Sequence, residues 1–232
     1  MIVIHSGRQF LASSGYKVRR FAVKVTKEKA AEHRRALVRA AGRLFRERGI
    51  EGVGVAAISK AAGLTHGALY GQFPSKGALA AEALAQGIKR GYAAMTSAKG
   101  GREPDLTDYL DFLISPYQRD NLAGGCPMTA SASEIARQDE TVSACFADGF
   151  AEMADAIEAV LGETKSGADR RQRALAIIAA EIGAIAAARA TAKSQPDLSN
   201  EILIAVRRVL GEIGGEGRTS KRKAAPSGRP PM

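Results

Sequence analysis

The chain has 232 residues, 45% of them hydrophobic and 25% charged, which is enough for one medium or two small globular domains with a buried core. Aromatic residues make up only 5%, Trp is absent and Ala is abundant, so close-packed helices are expected over a β-sandwich and the fold class reads as all-α. The formal net charge of +10 is unevenly spread: residues 1–90 carry 17 Lys and Arg against 5 acids, whereas residues 91–213 carry 12 against 18, as expected of a polyanion-binding module joined to a non-binding one.

Two cysteines, Cys126 and Cys145, without a CxxC, exclude a disulfide framework and a four-thiolate zinc site. No metal or cofactor is expected, and a reducing cytoplasm is the default location. Residues 1–25 lack periodicity and carry Arg19, Arg20 and Lys24; they read as a flexible basic arm, or as a start assigned too early. His5, Gly7 and Arg8 interrupt any signal-peptide core.

Ordered structure is expected from Thr26-Lys27-Glu28. In HRRALVRAAGRLFRERG, Leu37, Ala40, Ala41, Leu44 and Phe45 recur at helical spacing until Gly49 stops the helix. A short second helix is expected over 55–62. Gly63 can then take the left-handed C-cap conformation, and Thr65 can cap the next helix. The third helix, expected over 66–73, points Leu69 and Phe73 inward and leaves Gly67 and Gly71 on the opposite side, flanked by His66 and Tyr70. Pro74 ends it. Ser75 caps a fourth helix, from Lys76 to about residue 98, without an acid at position 78 to complete a capping box.

Helix, short helix, Gly turn and short helix is the helix-turn-helix order, in which the second short helix enters the DNA major groove. Two glycines in one short helix each cost roughly 1 kcal/mol against Ala. Clearance for DNA accounts for them, because small residues on the leading face let the backbone approach bases and phosphates. Close helix–helix packing is the competing account.

ALVRAAGRLFRERGIEGVGVAAISKAAGLTHGALYGQFPSKGAL resembles the DNA-binding domain of the TetR family of bacterial transcriptional regulators over about residues 30–85. The match rests on the Ala-Ala and Leu-Phe of helix one, the Gly49 to Gly52 loop, Ile58 with Ala61-Ala62-Gly63, and Gly67-x-Leu69-Tyr70-x-x-Phe73-x-Ser75-Lys76. The resemblance implies that Thr65 and Tyr70 touch phosphates through their hydroxyls, and that Lys76 adds a charge-assisted phosphate contact at the start of helix four. It puts His66, Gly67 and Ala68 nearest the base edges and leaves Gly71 as clearance. Gln72 stands where the family often has histidine; its amide can still donate to a phosphate.

Beyond the break at Lys99 to Pro104, helices are expected over 105–120, 127–137, 139–162, 168–193 and 198–213. The longest apolar run, residues 174–188, is short of a membrane span and carries Glu181 at its centre, so a buried helix and no membrane partner are expected. Residues 214–232 are Gly- and Pro-rich and basic and read as a disordered tail. The implied division is a basic arm over 1–25, a helix-turn-helix domain over 26–75, a larger helical ligand-binding and dimerisation domain over 76–213, and the tail.

The resemblance implies a homodimer through the last two helices, with Ile178, Ile182, Ile185, Ile202, Val206, Val209 and Ile213 as interface candidates; packing within one subunit is the alternative. Candidates for an effector pocket are Met95, Tyr109, Phe112, Leu113, Tyr117, Cys126, Met128, Phe146, Phe150 and Met153, all of which could equally be ordinary core. NLAGGCPMTASASEIARQ looks like a Gly-Cys-Pro element of one branch of such domains. Its Cys126 sits at a helix N-terminus, where the dipole can lower a thiol pKa; a small buried residue fitting a tight turn is the favoured account.

These observations lead to a ligand-responsive repressor of double-stranded operator DNA. The alternatives are redox or electrophile sensing through Cys126, or constitutive DNA binding without an effector. The three histidines, at 5, 33 and 66, support no catalytic constellation, and no enzyme is expected.

Overall fold

In a computed structural model that describes residues 26–97, 100–162 and 169–215, the described residues form ten α-helices and no strand. Both the arm over 1–25 and the tail from 216 lie outside these residues. The helices are α1 (Lys27–Arg48), α2 (Val55–Ala61), α3 (His66–Tyr70), α4 (Lys76–Thr96), α5 (Leu106–Leu113), α6 (Pro116–Asp120), α7 (Pro127–Ile135), α8 (Glu140–Val160), α9 (Arg170–Thr191) and α10 (Pro196–Gly214).

Local chemistry fixes most boundaries. Thr26 accepts from the Lys29 N–H to open α1, and Gly49, at φ 77°, closes it in a conformation that a side chain would resist. A reciprocal capping box between Asp105 and Asp108 opens α5. Pro116 supplies the first turn of α6, and Ser115 accepts from the Gln118 N–H to cap it. Pro196 plays the same part in α10, which ends at a left-handed Gly215.

The structure corrects two expected helices. The segment 105–120 is split, because Pro116 cannot continue a helix and disfavours helical backbone in the residue before it. Ile114 leaves the helix, and α5 and α6 separate. The recognition helix ends at Tyr70, three residues early, since Gly71 takes the cap and Gln72 and Phe73 fold back as a turn on the Leu69 carbonyl.

α1 packs on α2, α4 and α7, and α4 runs beside α8. α8 leans on α9, which pairs along its length with α10. Leu37, Ala41, Ile58, Leu69 and Phe73 close the N-terminal core, continuous through Leu79 and Ala83 of α4 with the core of the larger domain. By length and composition α9 is apolar enough to cross a bilayer, although Glu181 and Arg173 are buried on it against neighbouring helices.

Candidate nucleic-acid interface

The α2–turn–α3 unit is anchored by apolar side chains and leaves its polar face outward. Ile58, Leu69 and Phe73 are buried to 1% exposure or less. Gly63 makes the turn at φ 68°, and the Thr65 hydroxyl accepts the Ala68 N–H at 3.3 Å to start α3. Thr65, His66, Gly67 and Tyr70 are all exposed, with the His66 and Tyr70 rings edge to face at 5.1 Å. Tyr70 is 52% exposed, so its ring and hydroxyl are open to an external partner.

Gly67 decides between the two accounts of its glycine. A Cβ added there would meet nothing within 4 Å, so no neighbouring helix requires the missing side chain. At Gly71 a Cβ would approach only the Gly67 and Ala68 carbonyls of the same turn. The bare face is turned outward, as a surface that receives a groove requires.

Lys76 stands at the first position of α4, whose cap is the Ser75 hydroxyl accepting from the Ala78 N–H at 3.0 Å. Its ammonium group and the α4 dipole therefore act at the same end of the α3–α4 turn. Arg34 of α1 holds that turn: it donates to the Gln72 carbonyl at 2.6 Å, pairs with Glu82, and lies 4.1 Å over the Phe73 ring. Gln72 is thereby fixed through its backbone. Sequence reasoning missed Arg34, since an arginine among eight others in residues 1–48 carries no local mark.

The larger domain grips this unit through α7. Glu134 accepts the Ile50 N–H at 2.8 Å, Gln138 donates to Glu51 at 2.9 Å, and the Ala123 carbonyl before α7 accepts from Arg46 Nε at 2.6 Å. The C-terminal end of α1 and the α1–α2 loop are thus bonded to α7 and to the short segments on either side of it.

Of the effector-pocket candidates, Met95, Tyr109, Leu113, Met128 and Met153 are buried core, and Phe112, Cys126, Phe146 and Phe150 pack against it. Phe146 and Phe150 are stacked at 6.3 Å. Tyr117 is a correction: on the short, outward α6 it is 61% exposed and lines no interior. Burial, then the Glu181 carboxylate, push the Cys126 thiol up to about 12, outweighing the N–H groups at the start of α7. Cys145 donates to the Ala81 carbonyl at 3.3 Å.

The interface candidates divide. Ile178 and Ile185 are fully buried, in line with Ala174, Ile177, Glu181 and Ala188, and belong to the subunit's own core. Ile182, Ile202, Val206 and Ile213 are partly buried against that core, and Val209 is exposed. The outward faces of α9 and α10 instead present Leu175, Ile204 and Val209, beside an apolar groove of about 360 Å³ lined by Ala176, Ala180, Ala205 and Ile213. The isoleucine stripe misled because it marks the inward side of α9, whose outward side beyond Leu175 is alanine and glycine.

Comparison with known proteins places the chain. Residues 37–83 match the family model of bacterial regulatory proteins of the tetR family, and residues 105–198 match that of the C-terminal domain of LmrA/YxaF-like transcriptional regulators. Among solved structures, a TetR-family regulator from Agrobacterium tumefaciens is 22% identical, covering 80% of this chain and 99% of its own at a TM-score of 0.64. One from Chloroflexus aurantiacus is 25% identical over 80% and 95% of the two chains, TM-score 0.65. A TetR-family regulator from a Rhodococcus species is 26% identical over 78% and 99%, TM-score 0.57. No curated protein matches the sequence.

Proposed function

The chain belongs to the TetR family of bacterial transcriptional regulators, and from that premise we propose that it is a sequence-specific operator-binding repressor released by a small-molecule effector. The observation that carries the reading is the open space over Gly67 on the exposed face of α3. His66, Gly67 and Ala68 face base edges, while Thr65, Tyr70, Gln72 and Lys76 engage phosphates, with Gly71 giving clearance. The three-helix unit up to Ser75 binds DNA, and the helices from Lys76 onward bind the effector and dimerise, in the cytoplasm.

Two subunits pair through the outward faces of α9 and α10. Ile204, 69% exposed, and Val209 with Leu175 form an apolar surface that a lone subunit has no reason to keep. Pairing sets two α3 helices in successive major grooves of a palindromic site. An effector that binds more tightly to a differently spaced pair lowers operator affinity, by differential binding alone. The raised Cys126 pKa argues against a thiolate sensor.

The test is fluorescence anisotropy of the purified protein on its own upstream intergenic DNA across a salt series, beside a Tyr70→Ala, Lys76→Ala double variant. Saturable nanomolar binding to a palindrome, lost in the variant, is expected. Weak, sequence-independent binding that the variant leaves unchanged would overturn the reading.

A further inference from the structure

Glu181 lies midway along α9 and is 0% exposed, and neither carboxylate oxygen has a hydrogen-bond partner. Beside it on α7, the buried Thr129 hydroxyl also lacks a well-formed partner, and as a neighbouring hydrogen-bonding group it draws the Glu181 carboxyl down against the effect of burial. Arg189, the nearest cation, donates its Nε to the Arg119 carbonyl at 3.1 Å and an Nη2 hydrogen to the Gln118 carbonyl at 2.6 Å, so its hydrogen bonds go to α6. Gln118, itself buried, accepts from the Cys126 N–H at 3.0 Å. Three acceptor or donor atoms therefore converge between α7 and α9 with no group to satisfy them.

Buried polar atoms are almost always paired, and an orphaned carboxylate is among the most expensive of exceptions. Apolar residues at 181 and 129 would pack there without penalty. Retention of both polar groups at one point is accounted for by a molecule that supplies donors.

We infer that Glu181 and Thr129 form the polar end of the effector site and that the effector is an apolar molecule carrying a protonated amine or amidinium. The inference rests on the repressor reading above and names the ligand class that reading leaves open. The ammonium donates to a Glu181 oxygen and to the Thr129 hydroxyl, while the apolar part displaces side chains between α7 and α9. Because Glu181 is fully enclosed, the ligand enters only as α7 parts from α9. α7 also carries Glu134, and Gln138 follows three residues after its end; both bond the α1–α2 loop, so the same parting loosens the hold on the DNA-binding unit. Burial favours the neutral acid in the empty site, and ammonium binding moves that proton from Glu181 to solvent.

The experiment uses the full chain at pH 7 with 4-phenylbutylamine, 4-phenylbutanol and 4-phenylbutyrate, three probes of one shape and different charge, titrated calorimetrically in phosphate and in Tris. The amine is expected to bind at least tenfold more tightly than the other two, with close to one proton released. Glu181→Gln should remove at least tenfold of amine affinity and abolish the proton release, and Thr129→Val should weaken the amine severalfold; if Glu181→Gln does not fold, Thr129→Val decides. Equal binding of the alcohol or the acid, no binding of any probe, or amine binding that neither variant weakens overturns the inference. Operator anisotropy run in parallel separates the outcomes: normal operator binding with no amine preference defeats the ligand class alone, whereas loss of specific operator binding defeats the repressor reading.

Discussion

The Glu134 carboxylate, on α7, accepts the backbone N–H of Ile50 at 2.8 Å, across 84 residues of chain. Ile50 is 4% exposed and follows the Gly49 cap, where the chain has turned out of the helical ladder, so its N–H takes its acceptor from outside α1. One side chain of the larger domain thus completes the termination of the first helix of the DNA-binding unit. Glu134→Ala leaves that N–H unpaired in a partly buried site and is expected to cost about 1–3 kcal/mol in urea unfolding. Glu134→Gln, which keeps an acceptor, should recover most of the loss. An Ala variant as stable as the parent shows that solvent satisfies Ile50 and that the bond carries no force between the domains.

Gly67→Ala separates clearance for DNA from packing within the protein. Outside its own helical turn nothing lies within 4 Å of the added Cβ, and Ala is the better helix former by roughly 1 kcal/mol. The variant should therefore melt at or slightly above the parent temperature while binding operator at least tenfold more weakly. Lower stability with unchanged DNA affinity reverses the assignment of this face.

Much of the DNA-binding unit was legible in the sequence because each of its parts rests on local chemistry: Thr65 and Ser75 cap, Gly63 turns, and Leu69 and Phe73 are buried as their four-residue spacing requires. What was not legible depends on partners distant in sequence. Arg34 reaches Gln72 and Glu82, and Glu134 reaches Ile50, over separations of 38 to 84 residues that leave no periodic trace. The direction of an apolar stripe was equally hidden: Ile178 and Ile185 recur at helical spacing whether they face a partner subunit or their own core. Glu181 did leave a mark, as the single charge in the fifteen-residue run 174–188, but its lack of partners appears only once α7 is packed against α9. The break at Ile114 was readable from Ser115-Pro116 and was overlooked because the apolar pattern runs through it.

Glu181 should also make stability depend on pH in a definite direction. Burial, opposed by the Arg189 charge, pushes its carboxyl up to about 8 from 4.5. Between those values the folded chain holds a proton that the unfolded chain has released, so the contribution is fully present below about pH 4.5 and is lost as pH rises through about 8. Glu181→Gln carries no such proton. At pH 5 the parent and the variant should unfold at similar urea concentrations; at pH 9 the variant should be the more stable, by on the order of 2–4 kcal/mol. A difference independent of pH means that a donor within the folded chain compensates the carboxylate.

Ile178 and Ile204 should respond in opposite ways to substitution. Ile178 is fully enclosed by its own subunit, so Ile178→Ala opens a cavity and should cost about 2–5 kcal/mol in unfolding free energy. Ile204, 69% exposed on α10, has no such enclosure. Ile204→Asp adds a charge to the outward face and should leave the subunit folded by circular dichroism while sedimentation shifts from dimer to monomer, because an unpaired charge in a desolvated interface is not compensated. Loss of the second α3 should then weaken binding to a palindrome far more than binding to a single half-site. If Ile204→Asp sediments as the parent does, the pair forms through another surface, and the exposed apolar strip on α10 requires a different occupant.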